Sequence, residues 1–410
     1  MFTVLIVLRD IYLIPIPGHV VSLFFVASLL FLSYNDTIKA TFYLMPFTNG
    51  VPGYTVLFAL IILLLKTRRL NIGQILPAAL IAFLELANVS FFNIEARYTS
   101  VISYICFITL FFLILFNQDR RIDKKACVKY FCYGVTVALP IVYIPIILNY
   151  SFDTVISGEV RGSMIMGYEN PEDALNHLAM NANTMAYYSI VLLAILLYGR
   201  AKLNFNKFVY YVSLIISIAT GACSFSRAWL LLVAVMMFLY VINSRYRVIY
   251  ILIIATGLSF VFTTQNFVIQ TVSDVFASRM NAENIETGGL RTVIFSEYNE
   301  KWSADISNII IGTGAVHSSE VLDIDVSMHS GLQQIWVSHG ILGLMLYVLA
   351  FLYYLRYYSD RRAPLTQYMP FFFCFIFDQS IQFLVPYPLM LPFLPTLYLL
   401  SLPNDESVQC

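Results

Sequence analysis

The feature that most constrains the fold of this chain is a series of apolar runs, each about as long as a bilayer is thick. Hydrophobic residues make up 59% of the 410 residues and charged residues only 12%, whereas a soluble domain has about 25% charged residues. Runs such as 56–65 and 230–240 are apolar on every face, unlike the alternating strands of a membrane β-barrel. We therefore predict an all-α polytopic membrane protein.

Hydropathy predicts about twelve transmembrane helices. They form a single integral membrane domain over residues 1–410. The predicted spans are 11–33, 54–65, 73–92, 100–116, 129–149, 182–198, 207–223, 228–243, 247–265, 331–355, 366–385 and 387–401.

The basic residues fall mainly in alternate connections between these spans, although the net charge is zero. By the positive-inside rule, the side that is richer in Lys and Arg is cytoplasmic. This rule places both termini in the cytoplasm and predicts a multi-pass plasma-membrane protein. The cytoplasmic group is Arg9, Lys66, Arg68, Arg69, Arg120, Arg121, Lys124, Lys125, Lys129, Arg200, Lys202, Lys207, Arg245, Arg247, Arg356, Arg361 and Arg362; the outer group is Lys39, Arg97, Arg161, Arg227, Arg279, Arg291 and Lys301.

Two outer loops stand out, a smaller one over residues 150–180 and a large one over 266–328, between predicted helices nine and ten. The large loop is too long for a plain connection and is more typical of a functional segment. Within it, Arg291, Phe295, Tyr298 and Trp302 recur at helical spacing on one face. This pattern predicts a helix that lies at the membrane surface.

Several reaction classes have no sequence motif to support them. The chain contains no CxxC pair, HExxH, GxGxxG, Walker loop or Asp-rich metal motif. The six cysteines lie in predicted spans or at the cytoplasmic edge and not in the two large outer loops, so no disulfide framework is indicated. We predict no metal, no cofactor and no nucleic-acid partner.

Three arginines on the outer side are candidates for binding an anionic substrate. Arg227 lies at a tight turn between two apolar spans, Arg291 begins the loop helix, and Arg161 lies in the smaller loop. A guanidinium group matches phosphate oxygens in a bidentate manner and stays charged at any working pH. The alternatives are an arginine that snorkels at a helix end, for Arg227, and a solvated loop residue, for Arg161.

His329 lies where the large loop enters the membrane, and it is the candidate general base. Gln333, Trp336 and Gly340 share its helical face, and Gln333 is a candidate supporting residue. The alternative is a histidine that only binds a backbone carbonyl. The other histidines are weaker candidates: His317, His339, His177 and His19.

Glu85 is the most unusual polar residue within a predicted span, and carboxylates inside a membrane are costly and commonly functional. We treat it as a candidate supporting residue; the alternatives are pairing with an outer arginine and a structural polar bridge between helices. The same alternative is favoured for Asp378, Gln379 and Gln382.

Four segments, taken in order, resemble the O-antigen ligase and O-antigen polymerase superfamily. They cover about residues 150–355, whereas the first 150 residues match only in hydropathy. Ser330 stands where the family commonly has Asn, and the Pro that the family has between the two asparagines of the first segment is Ala182 here. The segments are Asn181-Ala-Asn183, Ser226-Arg227-Ala-Trp229, Gly289-Leu-Arg291 with Trp302 and Gly312-Thr-Gly314, and His329-Ser330 with Gly340 and Gly343.

The resemblance implies a metal-independent glycosyltransferase of the GT-C type. Its donor would be a glycan on undecaprenyl pyrophosphate at the outer face of a bacterial plasma (inner) membrane. Arg227 and Arg291, with Arg161 assisting, would bind the pyrophosphate, and His329 would take the proton from the attacking hydroxyl group. A chain-length regulator and a flippase are the implied protein partners, and membrane lipids surround the chain.

The superfamily has two activities, which differ in acceptor. A polymerase joins lipid-linked repeat units and makes surface polysaccharide, whereas a ligase transfers the glycan to lipid A core. The zero net charge favours the polymerase, because the ligases tend to be more basic. From another class, a polysaccharide flippase would place charged residues along the mid-membrane, whereas here the cations crowd the outer loops.

Overall fold

The computed structural model describes most of the chain as α-helix and shows no strand in the described residues. Some predicted features lie outside the described residues, which are given in the next sentence but one. They are the predicted span 366–385, most of the predicted span 247–265, the loop residues 151–176 and 260–290, and Asp378, Gln379 and Gln382. The described residues are 1–50, 54–67, 70–91, 98–117, 122–149, 177–178, 180, 182–224, 226–243, 246–249, 251–252, 255–256, 259, 291–324, 328, 331–359 and 393–402.

Four helices of the described part are long and apolar enough to cross a membrane: Ile72–Phe91, Lys124–Leu148, Ala182–Arg200 and Gly331–Tyr358. The coarse prediction of a helical membrane protein is therefore confirmed. The helices are α1 Phe2–Asp10, α2 Gly18–Phe31, α3 Tyr34–Leu44, α4 Tyr54–Lys66, α5 Ile72–Phe91, α6 Tyr98–Leu115, α7 Lys124–Asn149, α8 Ala182–Leu203, α9 Lys207–Cys223, α10 Arg227–Asn243, α11 Arg291–Ser303, α12 Ile306–Ile311, α13 Ser318–Leu322, α14 Gly331–Tyr358 and α15 Phe393–Ser401.

The first fifty residues differ from the prediction. In place of one span over 11–33 the chain forms α1, α2 and α3, with a 3-10 helix over Met45–Gly50. Pro15 and Pro17 separate α1 from α2, since proline lacks the backbone N–H that a continuous helix needs. Ser33 caps α3: its hydroxyl oxygen accepts a hydrogen bond from the N–H of Asp36 at 3.2 Å.

The bundle has two ends, which side-chain contacts identify. At one end the ammonium group of Lys66 donates to the carbonyls of Leu29 and Leu32, and the N–H of Asp123 donates to Asn35 Oδ1 at 3.1 Å. We call this the lysine end. Its further basic residues include Lys124, which approaches Ser401, and Lys202, which donates to the carbonyl of Leu402 at 2.9 Å.

The opposite end, which we call the loop end, holds Gly50 and the segments that follow α11. There the guanidinium group of Arg9 donates to Asp10 Oδ1 at 2.7 Å and to the carbonyl of Gly50 at 2.9 Å. The grouping of Lys39 and Arg9 therefore differs from the prediction: Lys39, in α3, lies at the same end as Lys66, and Arg9 lies at the loop end. The breaks at Pro15, Pro17 and Ser33 cause both differences, because they replace one predicted span by three shorter helices before α4.

Candidate functional site

Glu85 lies at the centre of a buried junction at the loop end. Its side chain is completely buried on α5. Its carboxylate oxygens accept hydrogen bonds from two consecutive backbone N–H groups, Ala315 at 2.7 Å and Val316 at 3.2 Å. A membrane helix thereby holds the loop between α12 and α13 through its main chain.

Two glycines give this loop the shape that the contact requires. Gly312 and Gly314 have φ of 80° and 85°, a region that favours glycine. A Cβ atom on Gly312 would clash with the backbone of Ser338 and His339, whereas one on Gly314 would make an ordinary 3.5 Å contact with Glu85 Oε1. The predicted motif Gly312-Thr-Gly314 is therefore a tight backbone cradle beside the carboxylate.

The same loop binds α14 just before a kink. The N–H groups of Thr313 and Gly314 donate to the carbonyls of Val337 and Ser338 at 2.9 and 2.8 Å. Gly340 then leaves helical geometry, with φ 61° and ψ −162°. The predicted break near Gly340 is confirmed, and the carbonyls beside it bind the loop.

Asn88 contributes a second contact from α5. It lies three residues after Glu85 and so shares its helical face. Its amide nitrogen donates to the carbonyl of Ile311 at 3.1 Å and to that of Ser338 at 3.3 Å. One side chain thus contacts both the end of α12 and the helix before the kink.

His339 is the imidazole neighbour of Glu85. Its Nε2 atom lies 3.4 Å from Glu85 Oε2 and 3.0 Å from the hydroxyl oxygen of Tyr104. The Tyr104 hydroxyl group also approaches that of Tyr347, 3.5 Å away. A carboxylate, an imidazole and two phenols therefore meet at one buried point.

This cluster does not reach solvent. The side chains of His339, Tyr104 and Tyr347 are each at most 2% exposed. A group that acts on a sugar hydroxyl must touch it. The buried cluster is therefore suited to a structural role, the attachment of the loop to the membrane helices. Among the described residues no group of three or more His, Cys, Asp or Glu could hold a metal ion.

Gln333 joins α14 to the loop helix α11. It is 1% exposed, and its amide nitrogen donates to the carbonyl of Phe295 at 2.9 Å. The Phe295 ring also meets the Trp336 ring edge to face, with centroids 5.7 Å apart. Gln333 therefore acts as a bridge between two elements that the sequence assigned to the site.

The aromatic face of α11 packs on protein. The helix runs over Arg291–Ser303, as predicted, but Tyr298 is buried in a small core with Leu322, Ile324, Met328 and Val337. Burial raises the pKa of Tyr298 to about 12. The expected membrane-surface contact is thus wrong for Tyr298.

The remaining predicted residues are placed only in part. Arg227 and Arg291 are the first residues of α10 and α11, and their side chains lie outside the description. The start of α10 is fixed at the loop end by Trp229, whose Nε1 donates to Ser189 Oγ at 2.8 Å. His329 and Arg161 lie outside the described residues.

Two of the histidines that are weaker candidates by sequence lie beside buried carboxylates. His339 joins the Glu85 junction. His177 Nδ1 lies 2.8 Å from Asp10 Oδ1, in a cluster with Arg9. His317 is fully buried at the start of α13, and His19 is exposed.

Sequence reasoning missed the roles of Asn88, His339, Tyr104 and Tyr347. One signal was available: Glu85 and Asn88 are polar residues spaced for one face of an otherwise apolar helix. No family model, curated protein or solved structure matches this chain.

Proposed function

We propose that this chain is a glycosyltransferase of a bacterial plasma membrane that joins lipid-linked oligosaccharide repeat units into surface polysaccharide. The proposal rests on the resemblance of four ordered sequence segments to the O-antigen ligase and O-antigen polymerase superfamily. It includes the finer architecture predicted from sequence, about twelve spans and a GT-C-like arrangement. The ligase reaction uses the same donor and the same bond changes with lipid A core as acceptor.

One structural observation carries the proposal furthest. The helix that begins at Arg291 packs on the helix that begins at Gly331, through the hydrogen bond from Gln333 to Phe295 and the core around Tyr298. The helix that begins at Arg227 also starts at the loop end. Helices from three of the four segments thus start at the same end of the bundle, which supports the proposal.

The charge distribution supports the loop end as the outer face. Lys66, Lys124 and Lys202 lie at the lysine end, and moving Lys39 there increases the bias. Arg9 at the loop end is 2% exposed and paired with Asp10. It therefore adds little net charge to that side. The end of α15 lies beside Lys202, which supports a cytoplasmic C-terminus; the cytoplasmic N-terminus stays a prediction.

The proposed reaction needs a cation and a base. The acceptor hydroxyl oxygen forms a bond to the anomeric carbon of the donor glycan as the bond from that carbon to the pyrophosphate oxygen breaks. His329 takes the hydroxyl proton. Arg227 and Arg291, with Arg161, stabilise the negative charge that develops on the undecaprenyl pyrophosphate leaving group.

The test is complementation of a deletion strain of the source organism, read as the length ladder of its polysaccharide. His329→Ala should leave only single repeat units at normal protein level. His19→Ala, a change at an exposed histidine, is the matched control and should restore the ladder. Full-length chains that remain on the lipid carrier would indicate the ligase instead, and an unchanged ladder with His329→Ala would remove this residue from the mechanism.

A further inference from the structure

The kink at Gly340 divides α14 between two parts of the molecule. Residues 331–339 pack with α11, α12 and α13 through Gln333, Val337 and Ser338. Residues 341–358 pack in the bundle, where Tyr347 and Tyr354 are buried. We call residues 291–324, which contain α11, α12 and α13, together with residues 331–339, the outer unit.

Side chains of α5 bind the outer unit on the side that faces the membrane bundle. Glu85 binds the main chain at residues 315 and 316, and Asn88 binds the carbonyls of Ile311 and Ser338. His339, the last residue before the kink, lies against Glu85. All of these contacts are made by residues of the outer unit and none by residues 341–358. A change in backbone direction at Gly340 would therefore move the outer unit relative to α5.

The energetics favour a specific attachment over simple packing. Glu85 is fully buried, and a buried carboxylate without partners destabilises a fold. Two backbone N–H groups and the His339 imidazole provide the compensation. Because these partners all belong to the outer unit, the buried carboxylate is satisfied only when the unit is seated.

We propose that Glu85, Asn88 and His339 form a latch that seats the outer unit on the membrane bundle. They are positioning residues, and the imidazole of His339 is the side chain that lies against the Glu85 carboxylate. The part of the proposal that concerns catalysis rests on the proposed function, since the outer unit carries Arg291 and the start of α14 after His329. The latch itself is a statement about the attachment of the loop.

The direct test is the rate at which a buried thiol becomes accessible. Ser338→Cys is nearly isosteric and places a thiol at the junction, where the native side chain is 1% exposed. The purified full chain is treated with a membrane-impermeant maleimide, and mass spectrometry of the peptide distinguishes this site from the native cysteines.

In that background, Glu85→Gln and Asn88→Ala should each raise the labelling rate by about tenfold to a hundredfold, because each removes hydrogen bonds that seal the junction. Ser90→Ala is the matched control: it lies on the same helix and its exposed hydroxyl group binds only the carbonyl of Leu86 in the described structure. Its labelling rate should stay at the parent value. Parent rates for both Glu85→Gln and Asn88→Ala would overturn the latch; if one of them fails to fold, the other decides.

A double variant tests the contact between Glu85 and His339. Glu85→Gln and His339→Gln each disturb the same buried contact, so the second change has less left to remove. Its labelling rate should therefore rise by less than the product of the two single fold-changes. Multiplicative effects would show that His339 and Glu85 act independently and that His339 is not part of the latch.

The activity readout separates the latch from the proposed function. With the isolated lipid-linked oligosaccharide as substrate, Glu85→Gln should raise KM about fivefold or more and change kcat less, because the arginine-bearing unit is displaced. An unchanged KM with raised labelling would overturn the positioning role. If Glu85→Gln raises the labelling rate but His329→Ala leaves the polysaccharide unchanged, the latch is supported and the proposed function is contradicted.

Discussion

Gly340 and Gly312 meet backbone to backbone where the large loop crosses α14. A Cβ atom on Gly340 would lie 2.7 Å from the nitrogen of Gly312 and would clash with the carbonyl oxygen of Ile310. Both glycines have positive φ. Neither position therefore accepts a side chain without moving the loop, and this close approach brings Ala315 and Val316 onto Glu85.

Gly340→Ala should destabilise the protein by about 1–3 kcal/mol, because it combines an unfavourable φ with a backbone clash. The readout is the thermal unfolding midpoint in detergent, which should fall. Gly73→Ala is the control, since its nearest atom would be Asn71 Oδ1 at 3.8 Å in an otherwise open first turn of α5. A Gly340→Ala midpoint equal to that of Gly73→Ala would contradict the close approach.

The fold was predictable where one apolar run makes one helix. Predicted spans 73–92, 182–198 and 331–355 correspond to α5, α8 and α14. The first fifty residues were not predictable by hydropathy alone, because Pro15, Pro17 and Ser33 break a run whose mean composition stays apolar.

The candidate site was predictable only in its separate pieces. Glu85, Gln333 and the glycines were visible as unusual residues, but their pairing depends on contacts between distant segments: Asn88 and Ser338 are 250 residues apart. No local pattern encodes such a contact. For the same reason His339 was ranked below His329 although it lies against Glu85.

Gln333→Leu should weaken the attachment of α11 to α14. The change removes the donor to the Phe295 carbonyl and leaves that carbonyl without this bond, at a cost of about 1–3 kcal/mol. Protease cleavage within residues 291–303 should become faster in the purified protein. Leu332→Ala, at a more exposed neighbour, is the control, and equal cleavage in both variants would argue against the bridge.

Arg227→Lys should lower the rate of polysaccharide extension about tenfold or more, because an ammonium group cannot replace a bidentate guanidinium fork on a phosphate. The matched control is Arg356→Lys, which changes an arginine in the last turn of α14 at the opposite end. Full activity in Arg227→Lys would favour a snorkelling arginine without a substrate contact.

Asp10 should make the protein less stable at acidic pH. Burial alone would raise the pKa of Asp10, but hydrogen bonds from His177 and Arg9 outweigh burial and leave the pKa below its ordinary value. The stability from this group is therefore present above the unfolded pKa of about 3.9 and is lost as the pH falls through the lower folded value.

The measurement for Asp10 is the thermal midpoint as a function of pH in detergent, for the wild type and Asp10→Asn. The variant cannot lose a carboxylate interaction that it lacks, so its midpoint should fall less steeply below about pH 4. Parallel curves for the two proteins would show that the Arg9–Asp10–His177 cluster contributes nothing to acid stability.

The central claim is that this chain transfers a glycan from a lipid pyrophosphate to a hydroxyl group. It is tested most directly with the purified protein in lipid vesicles that contain isolated undecaprenyl-pyrophosphate-linked oligosaccharide. Chromatography and mass spectrometry of the extracted lipids should show glycans of two or more repeat units and one released undecaprenyl pyrophosphate for each bond formed, with neither product from His329→Ala. Unreacted single units together with their movement across the vesicle membrane would contradict the account and identify a transporter.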